Sequence, residues 1–240
     1  MVELLLIEHI QVYFLIINIV ANHALSIILL FKYFKSKVNE LLFIALALLS
    51  TAIFNYYTFI FSYVSILVTS NPINTIYVLI FFPFSFLWLI FWTLAYTKLV
   101  QRNNRKIIII LISLFVLIFE AHYLIVFLMD PQSIGVFVRG IYMDWSEFVS
   151  FYLFISMIIL LITTVDFTIK AISMGNKVII LKAKFILAAI AFTFIAVLFE
   201  SIFTLQGPLF IIPRTLHIGS GILMYIGFVL PKSIRKWLIP

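Results

Sequence analysis

Leu30-Phe31-Lys32-Tyr33-Phe34-Lys35-Ser36-Lys37 marks the place where an apolar run over residues 7–31 stops and three lysines arrive almost together. The same event recurs at Lys98, Arg102, Arg105 and Lys106, then at Lys170, Lys177, Lys182 and Lys184, and finally at Lys232, Arg235 and Lys236. Of the 16 Lys and Arg residues, only Arg139 and Arg214 fall elsewhere. The four clusters occupy alternate gaps between seven long apolar stretches. Lys and Arg in short loops stay on the cytoplasmic side during insertion. The pattern therefore predicts an all-α integral membrane protein, a seven-transmembrane-helix bundle with its N-terminus outside and its C-terminus cytoplasmic.

Composition agrees: 65% of the 240 residues are apolar, 10% are charged and the mean hydropathy is +1.25, far from ordinary soluble usage. A bilayer core about 30 Å thick needs roughly 20 apolar residues per helical crossing. Seven crossings then use most of the chain, with spans expected near residues 7–31, 41–66, 76–98, 107–128, 147–171, 183–205 and 210–230. A single domain over residues 1–240 follows, in the cell membrane as a multi-pass protein. The runs are continuous rather than alternating, which excludes a β-barrel.

The formal charge of +7 sits at helix ends, where anionic headgroups attract it, so nucleic acid is not an expected partner. Glu3 and Glu8 stand where a signal peptide would be basic, so the first span is expected to remain in the mature protein. With no cysteine there is no disulfide, thiolate metal site or cysteine nucleophile. Residues 130–147, carrying Pro131, Gly135, Gly140 and Trp145, read as a short hairpin or interfacial helix on the outer face. Residues 171–182 contain Ser173-Met174-Gly175-Asn176, a turn signal.

Helical spacing gathers polar residues into stripes. Glu8, Gln11, Asn18, Asn22 and Ser26 fall within an arc of roughly 80° on the first span. Thr51, Asn55, Thr58, Ser62, Ser65 and Thr69 do so on the second. Thr193, Glu200 and Thr204 align on the sixth, and Arg214, His217, Gly221 and Tyr225 on the seventh. Such faces avoid lipid, because an unpaired polar group in hydrocarbon costs several kcal/mol. Their Ser and Thr members read first as interhelical hydrogen-bond contacts, and His23 likewise.

The ionisable members carry more. At about 1.5 Å per residue, Glu120, Glu200, Arg214 and His217 lie some 20 Å or more from the basic ends of their spans. Residues of this kind face one another, a cavity or a pathway. Arg214 is expected to pair with Glu200, or with Glu120 or Glu8. Either the result is a structural ion pair, or an outward-facing pocket lined by Glu120, Glu200, Arg214, His217, Glu8, Asn18, Asn55 and Trp88 takes a small ligand. Trp88 enters through the stripe Tyr77, Phe81, Ser85, Trp88, Trp92 and Tyr96, whose other reading is packing, lipid contact and, at Trp92 and Tyr96, an interfacial belt. Asp166 and Lys170 form an i,i+4 pair on the fifth span.

Enzyme chemistries find little support. No two histidines stand three or four residues apart, so a metallohydrolase site would need His9, His122 and His217 with Glu120 or Glu200, and no cofactor is expected. No lysine lies between Arg214 and Pro231 for a retinal Schiff base, and no Gly-x-Ser-x-Gly elbow appears.

Asp130-Pro131-Gln132-Ser133-Ile134-Gly135, Lys182-Ala183-Lys184-Phe185, Arg214 and Gly227-Phe228-Val229-Leu230-Pro231 resemble a set of uncharacterised archaeal seven-transmembrane-helix proteins. The topology is also similar to the seven-helix N-terminal sensor modules of histidine kinases, although no kinase follows before Pro240. With the outer pocket lined by Glu120, Glu200, Arg214 and His217, the leading expectation is an orphan receptor-like sensor that signals through a separate partner. The alternative is a small-solute or proton-linked transporter or channel using the same acids and His217. Expected partners are the lipid bilayer, a small ligand from the outer side, a cytoplasmic signalling protein on the basic loops, and a second copy of the chain in a homo-oligomer. Gly219, Gly221 and Gly227 allow the last span to approach a neighbour closely.

Overall fold

A computed structural model describes residues 5–101, 103–138, 142–202, 209 and 211–238, without the side chains of 52–56, 58, 137, 138, 142, 201 and 202. Glu3, Arg102, Arg139, Gly140 and Thr204 lie outside that set, as do the side chains of Asn55 and Thr58. In chain order the elements are α1 (Leu6–Ser36), α2 (Asn39–Thr69), α3 (Thr75–Phe81), α4 (Leu87–Leu99), α5 (Arg105–Met129), β1 (Gly135–Val138), β2 (Tyr142–Trp145), α6 (Glu147–Ser173), α7 (Lys177–Ile202), α8 (Ile211–Val229) and α9 (Lys232–Leu238).

Among the described residues, five helical segments are long and apolar enough to cross a membrane, and a sixth if α8 and α9, bent by 85°, count as one. Segment Thr75–Leu99, made of α3, a 3-10 turn and α4, is one of the five. α2 is continuous over 31 residues, apolar in its described parts Asn39–Thr51 and Phe59–Thr69. α5 leaves Ile107, Ile110, Leu114, Leu117, Leu124 and Leu128 exposed along its length. An apolar surface of that extent belongs in hydrocarbon, and the chain is an all-α protein that fits a multi-pass membrane protein.

The chain forms two compact units, Met1–Leu153 and Phe154–Pro240. In the first, α1 and α2 are joined at three levels. His9 Nδ1 and the Tyr63 hydroxyl are 2.7 Å apart, His23 Nε2 and the Tyr57 hydroxyl 3.1 Å, and the Ser26 hydroxyl donates to the Ala45 carbonyl at 2.8 Å. His23 Nδ1 also meets the Ile19 carbonyl at 2.9 Å, the hydrogen-bonding role expected for it.

Between α3 and α4 the helix is interrupted at Pro83. Proline has no N–H, so the Leu79 carbonyl four residues earlier loses its helical donor. The buried Tyr123 hydroxyl on α5 donates to it instead, at 2.8 Å. Around that bond gathers an aromatic cluster: Phe82 lies 4.0 Å from Trp145 and Phe86 4.2 Å from Phe119, centroid to centroid. Trp145 ends the β1–β2 hairpin, which pairs Gly135 with Trp145 and Val136 with Asp144. The described residues between α5 and α6 thus pair as antiparallel strands rather than as an interfacial helix. A Cβ on Gly135 would stand 2.8 Å from the Asp144 carbonyl, so only glycine fits there.

The break at Pro83 also divides the aromatic stripe. Tyr77 and Phe81 are exposed, whereas Ser85, Trp88, Trp92 and Tyr96 are buried. Trp92 and Tyr96 are therefore core residues rather than an interfacial belt. The Ser and Thr stripes divide: Ser26 and Thr193 make the interhelical bonds expected of them, to the Ala45 carbonyl and the Ser220 hydroxyl, while other hydroxyls turn back on their own helix. Thr51 donates to the Ala47 carbonyl and Thr69 to the Ser65 carbonyl, each one turn back in its own helix, as do Thr93 and Thr97. A hydroxyl on a helix reaches that carbonyl without needing a neighbour.

In the second unit, α7 begins at Lys177, earlier than the expected residue 183. Asn176 Oδ1 accepts from the Val178 and Ile179 amides at 3.0 and 3.3 Å, capping the helix directly after Gly175, whose φ is +69°. The gap between α6 and α7 shrinks to a tight turn.

Tyr123→Phe is expected to cost about 1–3 kcal/mol by leaving the Leu79 carbonyl unpaired. Tyr225→Phe, at an exposed position, is expected to shift stability by less than about 0.5 kcal/mol. Thermal unfolding of the purified protein in micelles compares the two.

Candidate functional site

Within the second unit, α7 and α8 meet along faces made of small and polar residues. Ala183, Ala189 and Ala196 are fully buried on α7, and α8 buries Pro213, His217, Ser220, Met224 and Gly227. A Cβ on Gly227 would stand 2.6 Å from Ile186 Cγ1 and 3.2 Å from the Lys182 carbonyl, so its hydrogen is what lets the helices touch. Gly219 meets the Phe192 ring in the same way, at 3.2 Å. Halfway along, the Thr193 and Ser220 hydroxyls are 2.7 Å apart.

The buried face of α8 is turned by roughly 80° from the stripe Arg214, His217, Gly221 and Tyr225, at 100° per residue. Only His217 belongs to both, and Tyr225 is exposed. The close seats at Gly219 and Gly227 and the Ser220 hydroxyl decide the rotation, because contact distance outweighs the modest polarity of a tyrosine. Arg214 is left at the edge of the interface, half-buried.

At one end of this pair, Glu200 near the end of α7 meets Arg214 and His217 near the start of α8. Glu200 Oε1 lies 2.9 Å from Arg214 Nη1 and 3.6 Å from His217 Nε2. Arg214 and His217 are one turn apart on α8, so a single carboxylate oxygen reaches both. The Arg214 side chain keeps 16% of its surface exposed and Glu200 28%, which places the pair between core and surface. Arg214 Nε is buried and has no hydrogen-bond partner among the described residues. Glu200 Oε1 likewise has no hydrogen-bond partner among the described residues, so the pair rests on charge and proximity rather than on an aligned N–H. At the opposite end, Lys182 Nζ donates to the Phe228 carbonyl at 3.2 Å, satisfying a terminal acceptor of α8.

The remaining expected site residues belong to the first unit. Glu8 is buried and accepts from the Leu5 amide at 2.7 Å, a helix-start role. Asn18, also buried, accepts from Asn22 Nδ2 at 2.8 Å through its side chain and at 3.0 Å through its carbonyl. Trp88 is packed into the core. Glu120 is half-buried on α5 and makes no hydrogen bond or ion pair among the described residues. His122 stacks on Phe148 at 4.7 Å, and His9 is bonded to Tyr63. Among the described residues no group of three or more His, Asp and Glu side chains could hold a metal ion. On α6, Asp166 and Lys170 pair at 3.0 Å, both partly exposed.

Tyr57, Tyr63 and Tyr123 in the first unit, and Ser220 and Lys182 in the second, also make polar bonds, and the polar stripes mark none of these five. Pro83 was the available signal for Tyr123, since it releases an acceptor that needs a donor. Comparisons with known proteins leave the site to its own chemistry: no family model, no curated protein and no solved structure matches this chain.

Glu200→Gln and Arg214→Gln are each expected to destabilise the protein by about 1–3 kcal/mol, since each leaves a partly buried charge without its counter-ion. Joined, they are expected to cost less than the sum of the two. A double-mutant cycle read by thermal unfolding measures the coupling, and simple additivity would show that the ion pair contributes nothing.

Proposed function

We propose that the chain is a seven-span protein of the cell membrane, N-terminus outside, acting as a receptor-like sensor whose ligand end includes Glu200, Arg214 and His217. Two further crossings complete the count: α2, whose 31 residues are ample, and α8, whose 19 residues rise about 28 Å, close to a bilayer core. The alternation of basic clusters supports the orientation. It puts the Glu200 end of α7 outside and the Lys182 end inside.

One observation carries the functional reading. Arg214 Nη1 stands 2.9 Å from Glu200 Oε1, and among the described residues the buried Nε of the same guanidinium has no hydrogen-bond partner. An arginine in that condition suits a small ligand bearing a carboxylate or comparable anionic group, which takes planar, paired N–H donors. Glu200 then exchanges partners rather than losing one, because His217 stands 3.6 Å away. Exchange of an ion pair between two helices in close contact is a two-state event of the kind sensing needs. Signal output would pass to a separate cytoplasmic protein, in keeping with the resemblance to seven-helix sensor modules.

Two measurements test this. Lacking cysteine, the chain takes unique labels: in intact cells a membrane-impermeant maleimide is expected to modify Ser133→Cys, and Ser233→Cys only after permeabilisation. Labelling of both from one side would overturn the topology. For the ligand, purified protein is heated with a panel of amino acids, dicarboxylates and inorganic phosphate. A ligand at 100 times its Kd stabilises by about 2.7 kcal/mol, and Arg214→Ala is expected to abolish that gain. A panel without effect, or a gain that survives Arg214→Ala, would remove the ligand reading. Uptake of the stabilising compound by proteoliposomes would turn the assignment to transport.

A further inference from the structure

α8 ends abruptly. Leu230 takes a φ of +46° and its amide closes on the Ile226 carbonyl at 2.8 Å, a left-handed helix stop. Pro231 follows and cannot continue the ladder, but its carbonyl accepts from the Arg235 amide at 3.0 Å and so starts α9. The result is an 85° bend between the two helices. α8 rises about 28 Å over its 19 residues, close to a bilayer core, and where it crosses, a helix turned nearly square to it runs along the membrane surface rather than through it.

α9 is divided lengthwise. At 100° per residue, Ile234, Trp237 and Leu238 fall within an arc of roughly 100°, and Lys232, Arg235 and Lys236 occupy an equal arc on the opposite side. It contains no acidic residue. Trp237 is 81% exposed and Leu238 37%, with Ile234 half-buried, so the apolar face is open chiefly at its tryptophan. An apolar strip carrying a tryptophan and backed by cations matches the boundary between headgroups and acyl chains of an anionic leaflet. Each cation near such a surface strengthens the attraction to anionic headgroups. Seven residues would bind weakly alone, but attachment to α8 holds them at the surface at high effective concentration.

We propose that α9 is an in-plane interfacial helix, seated with Ile234, Trp237 and Leu238 among the upper acyl chains and Lys232, Arg235 and Lys236 on anionic lipid headgroups. This requires only that α8 crosses a bilayer, and it stands whatever Arg214 binds. The full chain, in nanodiscs of phosphatidylcholine with or without phosphatidylglycerol, carries one nitroxide at Trp237→Cys or at Lys236→Cys. Both positions are exposed, and the apolar nitroxide preserves the character of the first.

With anionic lipid present, the label at 237 is expected to collide more with oxygen than with a water-soluble nickel complex, and the label at 236 to show the reverse. The contrast should shrink at least twofold when phosphatidylglycerol is omitted, or when Lys232, Arg235 and Lys236 are all changed to Gln. Equal access of both labels to nickel would overturn the proposal by placing α9 in water. Shielding of both labels from both reagents would overturn it by placing a protein, a second copy or a partner, over the helix. A contrast indifferent to lipid charge would remove the anionic headgroups from it.

Discussion

Hydrocarbon offers no hydrogen bonds, so each backbone N–H and C=O must find a partner inside the protein. Nearly every local feature answers that demand. Where Pro83 deprives the Leu79 carbonyl of its donor, Tyr123 supplies one from another helix, and an aromatic cluster closes over the repair. Where α8 ends, Lys182 reaches the Phe228 carbonyl from α7. Hydroxyls along α2 and α4 turn back to their own helices and leave smooth surfaces to pack.

With the backbone satisfied, little separates one apolar helix face from another in energy, and close approach decides which faces meet. Along α7 and α8 the small residues Ala189, Ala196, Ser220 and Gly227 make the seam. The ionic groups then take what that rotation leaves them. Glu200, Arg214 and His217 meet at the edge of the seam rather than at its centre, where the arginine lies beside its counter-ion with Nε unpaired among the described residues.

Much of this was legible beforehand. Apolar runs ended by lysines predicted the long helices to within a few residues at most ends, because crossing length and helix rise are constants. The pairing of Arg214 with Glu200 was legible for the same reason: scarce charges at matching heights on consecutive helices have few other partners. The late start expected for α7 failed at Asn176, where a cap outweighs the charge of the lysines that follow. The aromatic stripe of α3 and α4 failed at Pro83, since a 3-10 turn changes the phase that a periodicity argument holds constant.

By itself the sequence determined that this chain is a set of long apolar helices closed by basic clusters, because hydropathy and charge act locally and need no knowledge of neighbours. Only the tertiary structure decided which side of α8 is buried, that His9 and His23 belong to Tyr63 and Tyr57, and that Arg214 meets Glu200 with a nitrogen unpaired among the described residues. Those outcomes depend on distances of a few tenths of an ångström between helices. Such distances are set by the shapes of two surfaces in contact, and neither strand of sequence holds the other's shape.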